Sequence, residues 1–378
     1  MIEVDTQIPA GNGIIHRVEG GRIDLSPDNR DSTRDWFYWH VRIRNCAGRN
    51  ITLRFARPCC TTVRGAAVSR DQGRTWAWVP EYVPYSEEVH IDAGNADELR
   101  VCLAFPYTLA SLETFLQQFP ATAPVRRREL CRTRKGRTVP WLELGAPRGT
   151  ETCQIVITAR HHACEMMAND VLEGILSEFL DTPSLHRTHR LLVVPLVDLD
   201  GVEDGDQGKD RAPRDHNRDY DPPHVHPETA AVRAWIETET DERLAACLDL
   251  HCPFVVGEPN NQKLYFVGSE SETVWEKQQQ LARRIEEQNR SPLPFSAVDA
   301  MPFGLGWNTA DNYKQGLSFI RWMIRTRPAG LSTTLEIPYA DVKGHAVTPE
   351  SARAFGRILG RTLGEGSQDN SQHQGTGR

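Results

Sequence analysis

Short runs in which hydrophobic and polar residues alternate occupy the N-terminal third of the chain. They are rich in aromatic and β-branched residues, and glycine or asparagine lies between them. Alternation over such short stretches is typical of half-buried strands. The pattern predicts a small antiparallel β-sandwich domain over residues 1–108. The runs are 36–43, 51–55, 75–79 and 99–104.

Apolar residues then recur at helical spacing over 109–119, and Pro120 follows them. This spacing, ended by a proline, predicts a helical connector over residues 109–124. At the other end of the chain, residues 366–378 are polar and of low complexity, which predicts a disordered tail.

Between these segments, nearly unbroken apolar runs alternate with stretches of helical periodicity. Unbroken runs are expected of strands that are buried on both faces, and their alternation with helices is typical of α/β domains. The sequence therefore predicts, over residues 125–365, an α/β domain with a mixed, mainly parallel sheet flanked by helices. The apolar runs are 154–158, 191–197 and 244–250, and the helical stretches include 165–179 and 228–236.

Composition excludes several classes of partner. The chain has 44 basic and 51 acidic residues among 378, a formal charge of −7, which provides no electrostatic footprint for nucleic acid. No apolar run approaches the roughly 18 residues that cross a bilayer, and no secretory signal is visible at the N-terminus. The nine cysteines have no disulfide-framework spacing, as in proteins of a reducing compartment. We expect a cytoplasmic protein; its oligomeric state stays open.

Metal-ligating residue types follow the predicted strands. His162 and Glu165 come after the first apolar run, His251 follows the third, and Glu336 lies in a fourth run at 331–337. Ligands of open α/β sheets bind outside the carboxyl ends of the strands, so these side chains are expected to converge. Two histidines and a carboxylate suit a catalytic zinc, and a separate carboxylate suits a general base. Any one of the four alone is more easily explained by a structural role, such as a hydrogen-bonded histidine or a carboxylate paired with an arginine.

A polar segment after the second apolar run carries a more specific signal. Gly208-Lys-Asp-Arg-Ala-Pro-Arg-Asp-His-Asn-Arg-Asp-Tyr220 resembles the G-N-x-R and D-L-N-R signature of zinc carboxypeptidases of the carboxypeptidase A type. Asp198-Leu-Asp-Gly-Val202 is similar to the N-P-D-G-V of that family. In the N-terminal region, Asp71-Gln-Gly-Arg-Thr-Trp76 and Ala104-Phe-Pro-Tyr-Thr-Leu109 resemble the β-domain and the domain junction of cytosolic carboxypeptidases. The resemblance spans residues 30–360.

This resemblance implies one zinc ion per chain, with ligands His162, Glu165 and His251 and with Glu336 as the base and later proton donor. It further implies that Asn217 and Arg218 hold the terminal carboxylate of the substrate, because the arginine fork binds carboxylates bidentately. Arg211 would polarise the scissile carbonyl. Its spacing to Asn217 is shorter than in the family, so Arg214 is a competitor. His216 replaces the leucine of the family, and Ala163-Cys164 replaces its common Pro-Gly.

The expected activity is zinc-dependent hydrolysis of C-terminal residues from peptides or proteins. A zinc amidase or N-acyl amino acid deacylase built on the same site, or a non-catalytic zinc protein, are the alternatives. Arg321 and Arg325 precede the base strand, where cytosolic carboxypeptidases tend to place residues that read an acidic side chain, and this resemblance suggests a preference for acidic C-terminal residues. Two minor assignments stay open. Tyr313 or Tyr265 could be the mobile tyrosine found in many relatives, and His224 and His226 could bind a second metal, although a surface loop is the simpler interpretation.

Overall fold

The computed structural model describes residues 1–56, 60–84, 86–255, 259–327 and 330–374. These residues form two domains, and one continuous hydrophobic cluster extends through both.

The N-terminal domain is built from two small sheets. One has the strand order β1-β4-β9-β6-β7 and the other the order β2-β3-β5-β8. All pairings are antiparallel except that of β3 with β5, which is parallel. The strands are β1 Glu3–Asp5, β2 Ile14–Glu19, β3 Arg22–Ser26, β4 His40–Arg44, β5 Asn50–Phe55, β6 Ala67–Ser69, β7 Ala77–Trp78, β8 Glu88–Asp92 and β9 Glu98–Cys102.

One predicted strand of this domain is shorter than its sequence pattern. Strand β4 begins only at His40, whereas the aromatic run before it was expected to be part of the strand. Phe37, Tyr38 and Trp39 are all buried, so consecutive side chains here do not alternate between core and solvent as they would in a half-buried strand. Trp39 Nε1 instead donates to the carbonyl oxygen of Cys60.

The second domain is α/β, as predicted. Its seven-stranded sheet has the order β10-β11-β13-β12-β14-β16-β15. The four strands β13, β12, β14 and β16 pair in parallel, and antiparallel partners flank them on both sides. The strands are β10 Val125–Arg132, β11 Thr138–Gly145, β12 Cys153–Ala159, β13 His189–Val194, β14 Leu244–His251, β15 Tyr265–Val267 and β16 Leu331–Glu336, with a small hairpin of β17 Asp341–Val342 and β18 His345–Ala346.

Helices flank this sheet. Helix α1 follows the β-domain at the place of the predicted connector. Helix α8 extends to Gln374, so most of the tail expected to be disordered is helical, and residues 375–378 lie outside the described residues. The helices are α1 Leu109–Leu116, α2 Met167–Asp181, α3 Pro183–Thr188, α4 Leu199–Asp204, α5 Pro227–Glu239, α6 Glu272–Gln288, α7 Phe319–Thr326 and α8 Pro349–Gln374.

The central parallel strands are buried on both faces, which explains their unbroken apolar sequences. Every residue of β12 and β13 is buried. Burying such strands beneath helices on both sides stabilises the sheet and leaves the polar chemistry to the strand ends.

Neither a membrane-spanning helix nor a disulfide is found among the described residues. Within the described ranges, no helix is both long and apolar enough to cross a bilayer. None of the described cysteines forms a disulfide.

Candidate metal centre and active site

Three parallel strands bring the predicted chemistry to one edge of the sheet. Strands β12, β14 and β16 are neighbours, and their carboxyl ends meet there. His251, the last residue of β14, lies in register with Glu336, the last residue of β16. His162 and Glu165 follow the end of β12. The sequence predicts Glu165 in the first turn of helix α2, but Glu165 lies in the turn before that helix.

The side chains of His162, Glu165 and His251 face one point. The Nδ1 atom of His162 lies 2.9 Å from Oε1 of Glu165, and the Nδ1 atom of His251 lies 2.7 Å from Oε2 of the same carboxylate. One donor atom from each residue lies within 4.8 Å of the other two. Two imidazole nitrogens and a carboxylate at this spacing could hold a metal ion.

A buried network orients His251. Its Nε2 atom hydrogen-bonds to Oδ2 of Asp249 at 2.7 Å. The second oxygen of Asp249 bonds to Nδ1 of His161 at 2.9 Å and accepts a hydrogen bond from Oγ1 of Thr158. His161, Asp249 and His251 are close enough to form a metal group of their own. In many metal sites, a carboxylate that does not bind the metal fixes the orientation of the histidine ring that does. We interpret Asp249 in this way, because it already bonds to both rings.

The electrostatics of this cluster favour a cation. Burial alone would lower the pKa of His251, but the carboxylates of Asp249 and Glu165 more than offset burial and raise it. Burial would raise the pKa of Glu165, and the nearby cation of Lys209 and the two imidazoles instead hold it well below its usual range. Glu165 is therefore ionised and depends on positive charge beside it.

Glu336 completes the group. Its side chain is buried, and its Oε2 atom has no hydrogen-bond partner among the described residues. Burial, together with repulsion from Glu165, raises the pKa of Glu336 to about 7. A buried carboxylate oxygen without a partner is costly unless a ligand or water meets it. This arrangement fits a metal site with a separate proton acceptor.

Asn217 and Arg218 line the same cavity as these four residues. They lie in a short 3-10 helix, His216–Arg218. The amide of Asn217 is oriented by its Oδ1 atom, which accepts a hydrogen bond from the backbone N–H of Phe319 at 3.0 Å. Arg218 donates from Nε to the carbonyl oxygen of Asn312 at 3.1 Å, and its guanidinium lies over the ring of Tyr313.

The cavity has a volume of about 400 Å³. Its walls include Arg34 and Trp36, which belong to the N-terminal domain. A second cavity of about 270 Å³ adjoins it, and both are lined by Tyr313, Ser318 and Thr334. The candidate metal donors, Glu336 and Arg218 therefore line one cavity, and a side pocket adjoins it.

Comparison with known proteins gives the fold a precedent. No family model matches the chain. A cytosolic carboxypeptidase 2 from Danio rerio is 31% identical over 140 residues, which cover 33% of this chain and 19% of that relative, so the match spans about a fifth of its length. A metallo-carboxypeptidase from Burkholderia cenocepacia superposes with a TM-score of 0.79 at 20% identity and covers 98% of this chain and 99% of that one. The chain has the fold of a metallo-carboxypeptidase.

This confirms the resemblance and the fold class inferred from the sequence, including the N-terminal β-domain. A metallo-carboxypeptidase from Pseudomonas aeruginosa, solved in complex with (2-guanidinoethylmercapto)succinic acid, gives a TM-score of 0.76 at 17% identity, covering 96% of this chain and 98% of that one. Both superpositions extend over the two domains, so the β-domain is part of the shared architecture.

The structure does not bring Arg211 to this cavity. Its guanidinium donates to Oδ2 of Asp198 at 2.6 Å and to Oδ2 of Asp206 at 2.9 Å, and it lies 3.5 Å from Asp31. Three carboxylates thus surround it, and it is not among the residues that line the cavity. Its competitor Arg214 also lies outside the cavity lining.

The groups around Arg214 explain its position. Its Nη atoms donate to the carbonyl oxygens of Asp221 and Pro223 and lie beside the carboxylate of Asp219. Neither of the two predicted arginines therefore faces the scissile-bond region in this structure.

Lys209 does line the cavity, and sequence reasoning missed it. Its Nζ contacts Oε1 of Glu165 and donates to the carbonyl oxygen of Cys252 at 3.0 Å. In the segment 208–220, Lys209 replaces the asparagine of the family signature, so the resemblance implies no role for it. The sequence offers one signal, a fourth cation in this segment beside Arg211, Arg214 and Arg218.

The two tyrosine candidates differ in position. Tyr313 lines both cavities, and its hydroxyl donates to Oδ1 of Asn308 at 3.1 Å. Tyr265 is fully buried in β15, in register with Glu336, and lines neither cavity.

The histidines of the Pro-Pro-His-Val-His-Pro loop are not exposed at the surface. His226 is buried and stacks on His216 with ring centroids 3.7 Å apart and planes inclined by 17°. Glu228 lies close enough to both for a metal group. Ring lone pairs lie in the ring planes, and those of two nearly parallel, stacked rings do not converge on one ion. This cluster therefore does not suit a second metal as it stands.

Proposed function

We propose that this chain is a zinc-dependent carboxypeptidase that removes C-terminal residues from peptides or proteins. The observation that carries the proposal is the shared cavity, in which a His162–Glu165–His251 donor set, the unpartnered carboxylate of Glu336 and the Asn217–Arg218 pair face one another. A free carboxylate held at Arg218 would leave the adjacent peptide bond at the metal-binding end.

The donor types support zinc. Two imidazoles and one carboxylate, with room for water, are the ligands of many catalytic zinc sites, and zinc bound here would lower the pKa of a water molecule towards neutrality. His162 and His251 both present Nδ1 to Glu165, and Asp249 holds the opposite nitrogen of His251.

The residues of the chain then have complementary roles. Glu336 accepts a proton at Oε2 from the attacking water, whose oxygen bonds to the carbonyl carbon while the π electron pair moves onto the carbonyl oxygen. When the C–N bond breaks, Glu336 returns the proton to the leaving amine nitrogen. Arg218 binds the terminal carboxylate, and Asn217, fixed by the backbone of Phe319, adds a directed amide.

The adjoining cavity supports a preference for acidic C-terminal residues. Arg321 and Arg325 line it, and the Nη1 atom of Arg321 is buried without a hydrogen-bond partner among the described residues. Arg321 also stacks on the ring of Tyr313, with its guanidinium carbon 4.0 Å from the ring centroid. Glu270 pairs with Arg321 at the pocket edge and would compete with an acidic substrate.

A zinc amidase or N-acyl amino acid deacylase remains the second candidate, because its substrates also carry a carboxylate for Arg218. The superposition of both domains on metallo-carboxypeptidases favours peptide substrates. The ordered Glu336, which is not needed to hold a metal, disfavours a purely structural zinc site. The absence of disulfides among the described cysteines and the name of the curated relative support a cytoplasmic location.

Zinc-loaded protein incubated with N-acetylated peptides ending in Glu, Lys or Phe tests the proposal, with the products followed by mass spectrometry. We expect stepwise loss of C-terminal residues, abolished by a chelator and fastest for Glu. Internal cleavage, or release only from N-acyl single amino acids, would contradict carboxypeptidase activity. Equal or faster release of Lys and Phe would contradict the acidic preference alone.

A further inference from the structure

We propose that Lys209, and not Arg211, is the cation that stabilises the negative charge developing on the scissile carbonyl oxygen. The inference rests on the proposed function and concerns the same cavity. It assigns the oxyanion role to a residue that the family signature does not mark.

The position of Lys209 is the first support. Its residue is 8% exposed and lines the cavity together with the metal donor set. Its ammonium lies at the end of the cavity where the scissile bond would be held, against Glu165 and the carbonyl oxygen of Cys252. The centroid of the Trp36 ring lies 5.3 Å from Nζ of Lys209, and the ring shields the ammonium from solvent. A charge in so buried a site acts more strongly than one in water.

The backbone around Lys209 is held from both domains. Gly208 has a φ of +76°, and a Cβ at this residue would lie 2.1 Å from the backbone nitrogen of Ala163, so only glycine allows so close an approach. From the N-terminal domain, Oδ2 of Asp31 accepts the N–H of Gly208 at 2.8 Å, and the hydroxyl of Ser32 donates to the carbonyl oxygen of Lys209. Lys209 is thereby presented on a fixed loop.

The other cations near the cavity are committed elsewhere. Arg211 is surrounded by Asp198, Asp206 and Asp31. Arg218 lies at the end proposed for the terminal carboxylate, and the side chain of Arg34 is 72% exposed beside Asp210. Among the described arginines and lysines that line the cavity, which are Arg34, Lys209 and Arg218, Lys209 alone contacts the metal donor set.

The side chain of Lys209 can move from Glu165 to the substrate. A metal ion bound by Glu165 would repel the ammonium of Lys209. The flexible four-carbon side chain of Lys209 allows Nζ to turn towards the substrate oxygen. There the ammonium donates a hydrogen bond and keeps its proton, and the carbonyl oxygen holds the electron pair displaced by the attacking water.

Lys209→Met tests this role because it removes the charge but retains most of the side-chain volume. We expect one zinc per chain as in the wild type, a KM within about threefold, and a fall in kcat of about 100-fold, the usual scale for loss of one oxyanion donor. Lys209→Arg should recover at least a tenth of wild-type kcat. Lys135→Met, which removes a side chain that is 61% exposed and paired with Asp204, is the matched control.

Calorimetry supplies a readout that does not depend on turnover. A phosphinic dipeptide analogue with a C-terminal carboxylate should bind Lys209→Met about 100-fold more weakly than wild type, whereas the free amino acid product should bind equally well. A kcat within threefold of wild type, or equal loss of affinity for both ligands, would overturn the role of Lys209 and leave the proposed function standing. A wild-type protein without turnover on any peptide would overturn both.

Discussion

Lys209 and Arg211 are two residues apart, and the structure gives them different surroundings. Lys209 faces the cavity, and Arg211 faces a cluster of carboxylates from both domains. The sequence could predict that a cation of this loop serves the reaction, since the signature residues around it are recognisable. It could not predict which one, because alternate side chains of a loop point in directions that only its contacts determine.

Replacing Arg211 by methionine should therefore destabilise the protein. The change leaves the buried carboxylates of Asp198, Asp206 and Asp31 without their shared cation, and breaking such a buried pair costs about 3 kcal/mol or more. Urea unfolding measures this loss. Arg17→Met, at a pair whose side chains are both more than 60% exposed, is the control and should cost less than about 1 kcal/mol. An Arg211→Met protein as stable as wild type but deficient in turnover would return the catalytic role to Arg211.

The apolar runs predicted the central strands well, because strands buried on both faces need no polar positions. Strand β14, for example, begins at Leu244 as the sequence indicates. Helix ends were harder to predict. The sequence predicts Glu165 inside a helix, because hydrophobic periodicity continues through the turn before Met167. Helix α2 begins only at Met167, and Glu165 lies in the preceding turn, which the geometry of the candidate metal ligands requires.

Helices α2 and α8 pack in close contact. A Cβ at Gly174 would lie 2.1 Å from the carbonyl oxygen of Arg353, so the glycine permits the approach. Asp170 of α2 is buried at this interface, with Nη2 of Arg353 at 3.5 Å from its Oδ1 atom. Burial, reinforced by repulsion from Glu173, raises the pKa of Asp170 to about 8.

The raised pKa predicts a pH-dependent effect of Asp170→Asn. The folded protein holds a proton on Asp170 that the unfolded chain releases near pH 4, so this contribution to stability is complete below pH 4 and is lost as the pH rises towards 8. The neutral asparagine avoids that loss. Relative to wild type, the variant should gain about 2 kcal/mol in free energy of unfolding between pH 6 and pH 8. Asp181→Asn, at a side chain 57% exposed on the same helix, is the control. A difference from wild type that does not change with pH would contradict the prediction.

In the molecule as a whole, the N-terminal domain builds part of the cavity that holds the candidate active site. Asp31 accepts the backbone N–H groups of Gln207 and Gly208, and Trp36 and Arg34 line the cavity. The alternating strands in the sequence predict this domain, but they do not indicate its function. Contacts between domains depend on side chains far apart in the chain, which local periodicity does not record.

We propose that one zinc ion, held by His162, Glu165 and His251, serves a reaction in which Glu336 moves the proton. The most direct test is a zinc titration of metal-depleted wild type and Glu336→Gln, with bound metal and release of the C-terminal residue measured together. We predict that both proteins bind one zinc per chain, that wild-type activity rises in proportion to bound zinc, and that the variant releases almost nothing. Activity without metal, saturation at another stoichiometry, or full turnover by Glu336→Gln would contradict the account.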